Sequence, residues 1–291
     1  MGGPLCRRLL PERPLDPHGA RVSADAFAGQ HGELLSLAVD VGREAAELVR
    51  RRRPEGRVPV ADVKSSATDP VTEIDRASEE LIRRLVAEAR PDDGFLGEEG
   101  DTLVGTSGVE WVVDPIDGTV NFMYGVPAYA VSIAARTGDQ VVAGFVVNVA
   151  DGRAWGATLG GGAYRLDGEP RRFVTPTPPP LTHLLVATGF GYDPEVRAAQ
   201  GASVTQLLPQ VRDIRRIGAA ALDLCALAEG TVDAYVERGL QPWDLAAGGL
   251  IATEAGCVLS GLEGAPDRRL VMGAHPEIAP EYFELVRACG F

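Results

Sequence analysis

The chain predicts a mixed α+β and α/β fold in two lobes, and three observations carry that reading. Between Tyr129 and Leu166, period-two alternation runs in short stretches punctuated by Gly138-Asp139, Asp151-Gly152 and Asp167-Gly168, the pattern of antiparallel strands joined by tight turns. Residues 175–180, T-P-T-P-P-P, cannot continue a sheet, because each proline lacks the N–H that a ladder needs. Beyond them strand-like and helix-like stretches alternate, as in an α/β lobe. With 291 residues, 45% of them hydrophobic, the chain can fill two lobes with ordinary cores.

Taken in order, residues 1–28 hold prolines and arginines where a secretory signal needs an apolar run, and Cys6 stands where a myristoylation signal needs Ser or Thr. They read as a flexible tail. The first lobe is expected over 29–175 and the second over 176–291. Leu34, Leu37, Val41, Ala45 and Leu48 recur at three- and four-residue steps and predict an amphipathic helix over 33–53. Arg50, Arg51, Arg52 and Arg53 complement the negative end of its dipole and read as a solvated terminus.

A second helix follows Asp75, with Ala77, Leu81, Leu85 and Ala89 as its apolar face and Asp75 itself as a natural N-cap. A short strand at 95–97 leads into Glu98 and Glu99, and Trp111 to Val113 read as the end of a buried strand that stops before Asp114. The meander strands are placed at 129–136, 140–150, 153–158 and 163–166. Gly160 to Gly162 lack the Lys that completes a phosphate-binding loop and are assigned to backbone bending. In the second lobe, strands are expected at 184–190, 214–217, 234–237 and 257–259, and helices at 196–210, 219–229, 244–255 and 276–288. Asp244, directly before an apolar Ala- and Gly-rich helix, again reads as an N-cap.

Composition excludes several classes of function. A net charge of −13, from 41 acidic against 28 basic residues, argues against a nucleic-acid surface and would repel a phosphate ester unless cations intervene. Cys6, Cys225, Cys257 and Cys289 are far apart and form no C-x-x-C, which argues against a zinc site or disulfide framework and for a reducing cytoplasm. No apolar run has the length of a membrane span. The four histidines, His18, His31, His183 and His275, are scattered, and no G-x-S-x-G suggests a nucleophile elbow.

The most informative stretch is W-V-V-D-P-I-D-G-T-V-N-F at 111–122. Pro115 fixes its own φ and pushes Asp114 toward extended backbone, so two carboxylates, Asp114 and Asp117, are held close together. Gly118 permits a sharp turn whose N–H groups, with that of Thr119, form a cradle for a phosphate oxygen. Paired carboxylates beside such donors suit a hard divalent cation and an anionic substrate together. Ordinary turn chemistry would explain either the Asp-Pro or the Asp-Gly pair alone.

D-P-I-D-G-T after an apolar strand does not stand alone. K-S-S-A-T-D-P-V-T-E-I-D at 64–75, G-E-E at 97–99 and W-D-L-A-A-G-G-L-I-A-T-E-A-G at 243–256 occur with it, and in this company the chain resembles the inositol monophosphatase family over roughly 33–290. That family includes fructose-1,6-bisphosphatases and phosphoadenosine-phosphate phosphatases. The resemblance implies a layered α/β/α/β/α sandwich with an antiparallel first sheet, in a protein that is commonly a homodimer. It implies a metal site of Glu98, Asp114, the Ile116 carbonyl, Asp117 and Asp244, holding two or three Mg²⁺, with Mn²⁺ as a substitute. Glu99, Thr119 and Asp75 would orient the attacking water, with Lys64 as a nearby positive charge. The amides of Gly118 and Thr119 would hold phosphate oxygens, while Asp117, Gly218, Ala220 and Glu237 would meet sugar hydroxyls.

Such a site needs cations, since each pair of carboxylates about 4 Å apart repels by roughly 4 kcal/mol at an effective dielectric near 20. An oxygen-only donor set without His or Cys favours Mg²⁺ or Mn²⁺ over Zn²⁺. The implied reaction is metal-assisted hydrolysis of a phosphate monoester with no covalent enzyme intermediate. Val120 departs from the Lys found after D-G-T in the nucleotide- and histidinol-phosphatase relatives, which points to inositol-1-phosphate. Fructose-1,6-bisphosphate, histidinol phosphate and phosphoadenosine phosphate are the alternatives, and a non-catalytic binding partner built on the same fold is the reading from another class.

Overall fold

The computed structural model describes Phe27 and residues 31–54, 56–63 and 70–291; Lys64 and, apart from Phe27, the tail expected over 1–28 lie outside the described residues. Helix α1 (Gly32–Arg52) is followed by the short pair β1 (Asp62–Val63) and β2 (Pro70–Val71) and by α2 (Glu73–Ala89). A seven-stranded sheet comes next: β3 (Gly94–Gly97), β4 (Val109–Asp117), β5 (Ala130–Thr137), β6 (Gln140–Asn148), β7 (Ala154–Thr158), β8 (Gly162–Arg165) and β9 (Arg171–Phe173), with α3 (Thr119–Tyr124) between β4 and β5. Its spatial order is its chain order, and every neighbouring pair except β3–β4 is antiparallel.

The second sheet is built from β10 (Leu185–Thr188), β11 (Asp213–Arg215), β12 (Ala234–Glu237), β13 (Val258–Ser260) and β14 (Val271–Ala274), in the order β11-β10-β12-β14-β13. Helices α4 (Pro194–Leu207), α5 (Ala220–Glu229), α6 (Pro242–Glu254) and α7 (Ala279–Ala288) complete the chain.

Three apolar cores stack these elements into five layers. Leu35, Ala38 and Val39 of α1 and Ile82 of α2 pack with Trp111, Val113 and Phe145 on one face of the seven-stranded sheet. Val112, Val146 and Trp155 on its other face meet Ala221 and Leu224 of α5 and Ala247 and Ile251 of α6, in a core that also takes in Ala187, Tyr235 and Val271 of the second sheet. Leu207, Tyr282 and Val286 cover that sheet's far face through Val186, Val236 and Met272. The order α/β/α/β/α is the one the resemblance implies. Because β4 is buried on both faces, it reads as a continuous apolar run rather than an alternation. For the same reason α5 and α6 are apolar all round: each lies between two sheets. Small residues permit the close approach, and a Cβ at Gly144 would lie 2.9 Å from Cα of Ala247.

Four local expectations are corrected. Strand β4 does not stop at Val113 but runs to Asp117, because a bulge absorbs Pro115: Asp114 pairs with Ser132 and Asp117 with Ala130, leaving two residues opposite one. The fully buried face of α2 is Asp75, Ser78, Glu79, Ile82 and Val86, and of the expected Ala77, Leu81, Leu85 and Ala89 only Leu85 packs, partly buried, against the core; three of the five buried residues are polar, and they make hydrogen bonds rather than apolar contacts. The N-caps of α2 and α6 are Thr72 and Gln241, so Asp75 and Asp244 each sit three residues later, inside the first turn. Strands β9 and β14 were not anticipated; the glycine inside β14, Gly273, leaves space that Leu227 and Leu259 fill.

Gly160 to Gly162 do bend the backbone, and the structure shows what holds the bend. Glu254, at the end of α6, accepts the N–H groups of Gly160 and Gly162, one on each carboxylate oxygen and both at 2.8 Å. This ties the middle helix layer to the β7–β8 turn. Glu254→Ala is expected to cost about 2–3 kcal/mol, the worth of two charge-assisted bonds at a half-buried site. Thermal melting checks it; an unchanged Tm would deny the clamp any weight. Among the described residues no helix is long and apolar enough to cross a membrane.

Candidate active site

The bulge at the end of β4 sets out the first carboxylates. Asp114 is buried, and its Oδ1 accepts the Ile116 N–H at 3.0 Å, which pins the side chain across the irregular turn. Ser78 of α2 donates to the Pro115 carbonyl at 3.2 Å. At Gly118, φ is +86°, and a Cβ there would lie 3.0 Å from the Ala128 carbonyl oxygen and 3.1 Å from that of Gly218, so only glycine makes this corner. Thr119 follows at the start of α3. Its Oγ1 lies 3.1 Å from the Ile116 carbonyl oxygen and 3.2 Å from Asp75 Oδ1, and its single proton serves one of them at a time.

Asp75 and Asp244 are brought in by the same device. In α2, Thr72 Oγ1 accepts the N–H groups of Ile74 and Asp75, while Asp75 Oδ2 accepts both the N–H and the hydroxyl of Thr72. This capping box fixes one carboxylate oxygen in the helix start and leaves the other on Thr119. In α6, Asp244 Oδ2 accepts the Gln241 N–H at 2.7 Å.

Asp117 works across the layers. Its Oδ1 and Oδ2 accept the N–H groups of Ala220 and Ala221, at 3.2 and 2.8 Å, capping α5 from 103 and 104 residues away. Helix α5 needs this, because its own N-cap residue, Ala219, has no acceptor side chain. Asn121 reinforces the junction by donating from Nδ2 to the carbonyls of Ile217 and Ala128, both at 2.8 Å.

Asp114, Asp117 and Asp244 thereby bring three carboxylate oxygens within 4.8 Å of one another. Burial pushes Asp244 up to about 8, with Asp117 and Glu98 adding to the rise. Burial pushes Asp117 up to about 7 against the pull of the Ala221 and Ala220 amides, and the charges of Glu237 and Glu98 raise it further. Glu98 thus lies within electrostatic reach of the trio. Crowded, dehydrated oxygens of this kind fit a hard divalent cation, whose charge would offset their repulsion.

The expected substrate contacts lie on the side of the second sheet. Burial pushes Glu237 up to about 7; Tyr235 donates its hydroxyl to Glu237 at 2.7 Å, and the charge of Asp244 acts on it as well. Gly218 turns at φ +93° beside Asn121 and Gly118, and Ala220 spends its N–H on Asp117. Glu99 is held by its own N–H, which donates to Glu79 at 2.7 Å.

Asp75, Asp114, Ile116, Asp117, Thr119 and Asp244 are therefore assembled as one cluster, with Glu98 and Glu237 within electrostatic reach of it. Asp223 is a member that sequence reasoning missed. It is buried in α5, both its oxygens lack a hydrogen bond among the described residues, and burial, with Glu237 and Asp117, pushes it well above the usual carboxylate range. The available signal was an acid inside the otherwise apolar run A-A-L-D-L-C-A-L-A.

Comparison with known proteins adds a further finding. The chain matches the model of the inositol monophosphatase family over residues 30–290. It is 46% identical over 264 residues to the Inositol-1-monophosphatase SuhB of Mycobacterium tuberculosis, covering 85% of this chain and 91% of the relative. It is 34% identical over 265 residues to the Nus factor SuhB of Pasteurella multocida, covering 88% and 96%. The solved structure of the extragenic suppressor protein suhB from Bartonella henselae superposes with a TM-score of 0.79 at 32% identity, covering 89% of this chain and 98% of that one.

Proposed function

Since the chain belongs to the inositol monophosphatase family, we propose that it is a Mg²⁺-dependent phosphomonoesterase that hydrolyses inositol-1-phosphate to inositol and phosphate. The observation that carries this reading is the meeting of Asp114 and Asp117 from β4 with Asp244 from α6, oxygens within 4.8 Å, beside the Thr119–Asp75 pair. Asp114, Asp117, Asp244, Glu98 and the Ile116 carbonyl would hold the cations. When bound, these supply a more acidic water and stabilise negative charge at phosphorus and on the leaving oxygen.

The chain's own groups do the rest. Thr119 donates its hydroxyl hydrogen bond to Asp75 Oδ1, which leaves an oxygen lone pair to accept a hydrogen bond from the attacking water. Glu99 orients that water from the neighbouring loop. The Gly118–Thr119 turn would hold phosphate oxygens by its amides, as donors aimed at charge that grows during transfer. Glu237 and Asp117 accept from vicinal hydroxyls, which suits a polyol rather than a base or an amine. Support for inositol over other sugar and polyol phosphates comes from Val120 and from the name of the relative at 46% identity. Homodimeric assembly and a cytoplasmic location belong to the same proposal.

Phosphate release from inositol-1-phosphate, fructose-1,6-bisphosphate, histidinol phosphate and phosphoadenosine phosphate, with Mg²⁺ and with EDTA, tests the proposal. Turnover fastest on inositol-1-phosphate and abolished by EDTA is expected; preference for another ester would reassign the substrate. A second reading, a binding partner in a larger assembly, draws on the relatives named Nus factor. It would gain if no ester gave metal-dependent turnover.

A further inference from the structure

The polar stripe of α2 carries more than Asp75. Asp75, Ser78 and Glu79 stand at i, i+3 and i+4, so they share one face of the helix. Each reaches a different part of the site: Asp75 reaches Thr119, Ser78 the Pro115 carbonyl, and Glu79 the backbone of the Glu98–Glu99 loop. Glu79 is 3% exposed, and its Oε2 accepts the Glu99 N–H at 2.7 Å. Its Oε1 accepts from Arg83 at 3.1 Å, and the Arg83 guanidinium lies 4.2 Å from the ring centroid of Phe95 in β3.

The loop is wrapped around that carboxylate. A Cβ at Gly97 would overlap it, and one at Gly100 would lie 2.7 Å from its Oε1. The glycines on either side of the paired glutamates are therefore the space that Glu79 occupies.

We propose that Glu79 is a positioning residue that holds the Glu98–Glu99 loop in register with Asp114, Asp117 and Asp244, and thereby sets the affinity of the site for a divalent cation. Arg83 neutralises Glu79, so the site gains a fixed loop without gaining another repelling charge. The inference rests on the metal-dependent reading above and extends it to a side chain that touches neither cation nor substrate.

The test compares Glu79→Leu with Glu79→Gln in the full chain. Gln keeps an acceptor for the Glu99 N–H, and the half-exposed Arg83 can turn to solvent; Leu removes the acceptor at similar volume. Calorimetric titration with Mg²⁺ alone is read beside the Mg²⁺ concentration that gives half-maximal turnover, with near-UV circular dichroism as the check on folding. For Leu, Mg²⁺ affinity should fall by about tenfold or more, with kcat at saturating Mg²⁺ within about threefold; Gln should stay within about threefold on both. Unchanged Mg²⁺ binding by a natively folded Leu variant, or equal losses in Leu and Gln, would overturn the proposal. If Leu does not fold, Gly97→Ala takes its place: its added Cβ must displace the Glu79 carboxylate, and unchanged Mg²⁺ affinity there overturns it equally. A wild-type protein without Mg²⁺-dependent turnover would instead sink the function, while the calorimetric comparison would still judge Glu79.

Discussion

Asn in place of Asp114 is expected to lower kcat for Mg²⁺-dependent hydrolysis by about a thousandfold or more while leaving the fold intact. Asn keeps an Oδ1 that can accept the Ile116 N–H, so the bulge survives. What it loses is one negative charge and one hard oxygen from a trio whose members lie within 4.8 Å. A bound cation contributes several kcal/mol of charge stabilisation, and each 1.36 kcal/mol is a factor of ten in rate, which sets the scale of the loss at about three decades. Without added metal the variant should melt no lower than the wild type, because one source of repulsion is gone. Addition of Mg²⁺ should then raise its Tm far less. Wild-type turnover in this variant would remove Asp114 from the mechanism.

A second large effect is expected in the stability of EDTA-treated protein as pH rises. The folded-state values of Asp117, Glu237 and Asp244, about 7, 7 and 8, all lie above the ordinary carboxylate values near 4 that they regain on unfolding. The native state therefore holds protons that the unfolded chain releases. The resulting stabilisation is complete below about pH 4 and is lost as pH climbs through 7 and 8. Each unit of displacement is worth about 1.4 kcal/mol, so Tm should fall by at least about ten degrees between pH 5.5 and 8.5. Saturating Mg²⁺ should flatten that fall, raising Tm more at pH 8.5 than at 5.5, since the cation takes the place of protons already lost. A metal-free Tm that stays level over this range would mean that these acids are ionised without penalty.

Much of the first sheet was legible because β5 to β8 are bounded by turns with strong chemistry of their own, such as Asp151-Gly152. The spacing in D-P-I-D-G-T likewise marked Asp114 and Asp117, whereas Asp244 read locally as an N-cap and entered the metal site only through the resemblance of the segment at 243–256. What local pattern could not convey was that one acid set comes from a bulged strand and the other from the first turn of a helix in the middle layer. The face of α2 was misread because Asp75, Ser78 and Glu79 are buried by their hydrogen bonds, and hydrophobic periodicity does not register polar residues. Asp223 was invisible for a related reason: its surroundings exist only once α5 lies against β12 and β4. Layer order was equally out of reach of periodicity, since a helix apolar on every side does not say what covers each side.

The bond from Asp117 to the start of α5 makes the pocket depend on a junction between distant parts of the chain. The trio of acids exists only in molecules whose two halves have closed over the middle helices, a closure that joins residues 103 and 104 positions apart. Contacts of such long range make folding slow, because loop-closure entropy is lost before they form. If the pocket binds Mg²⁺ as proposed, cation uptake in a purified sample would count the molecules in which that junction has closed.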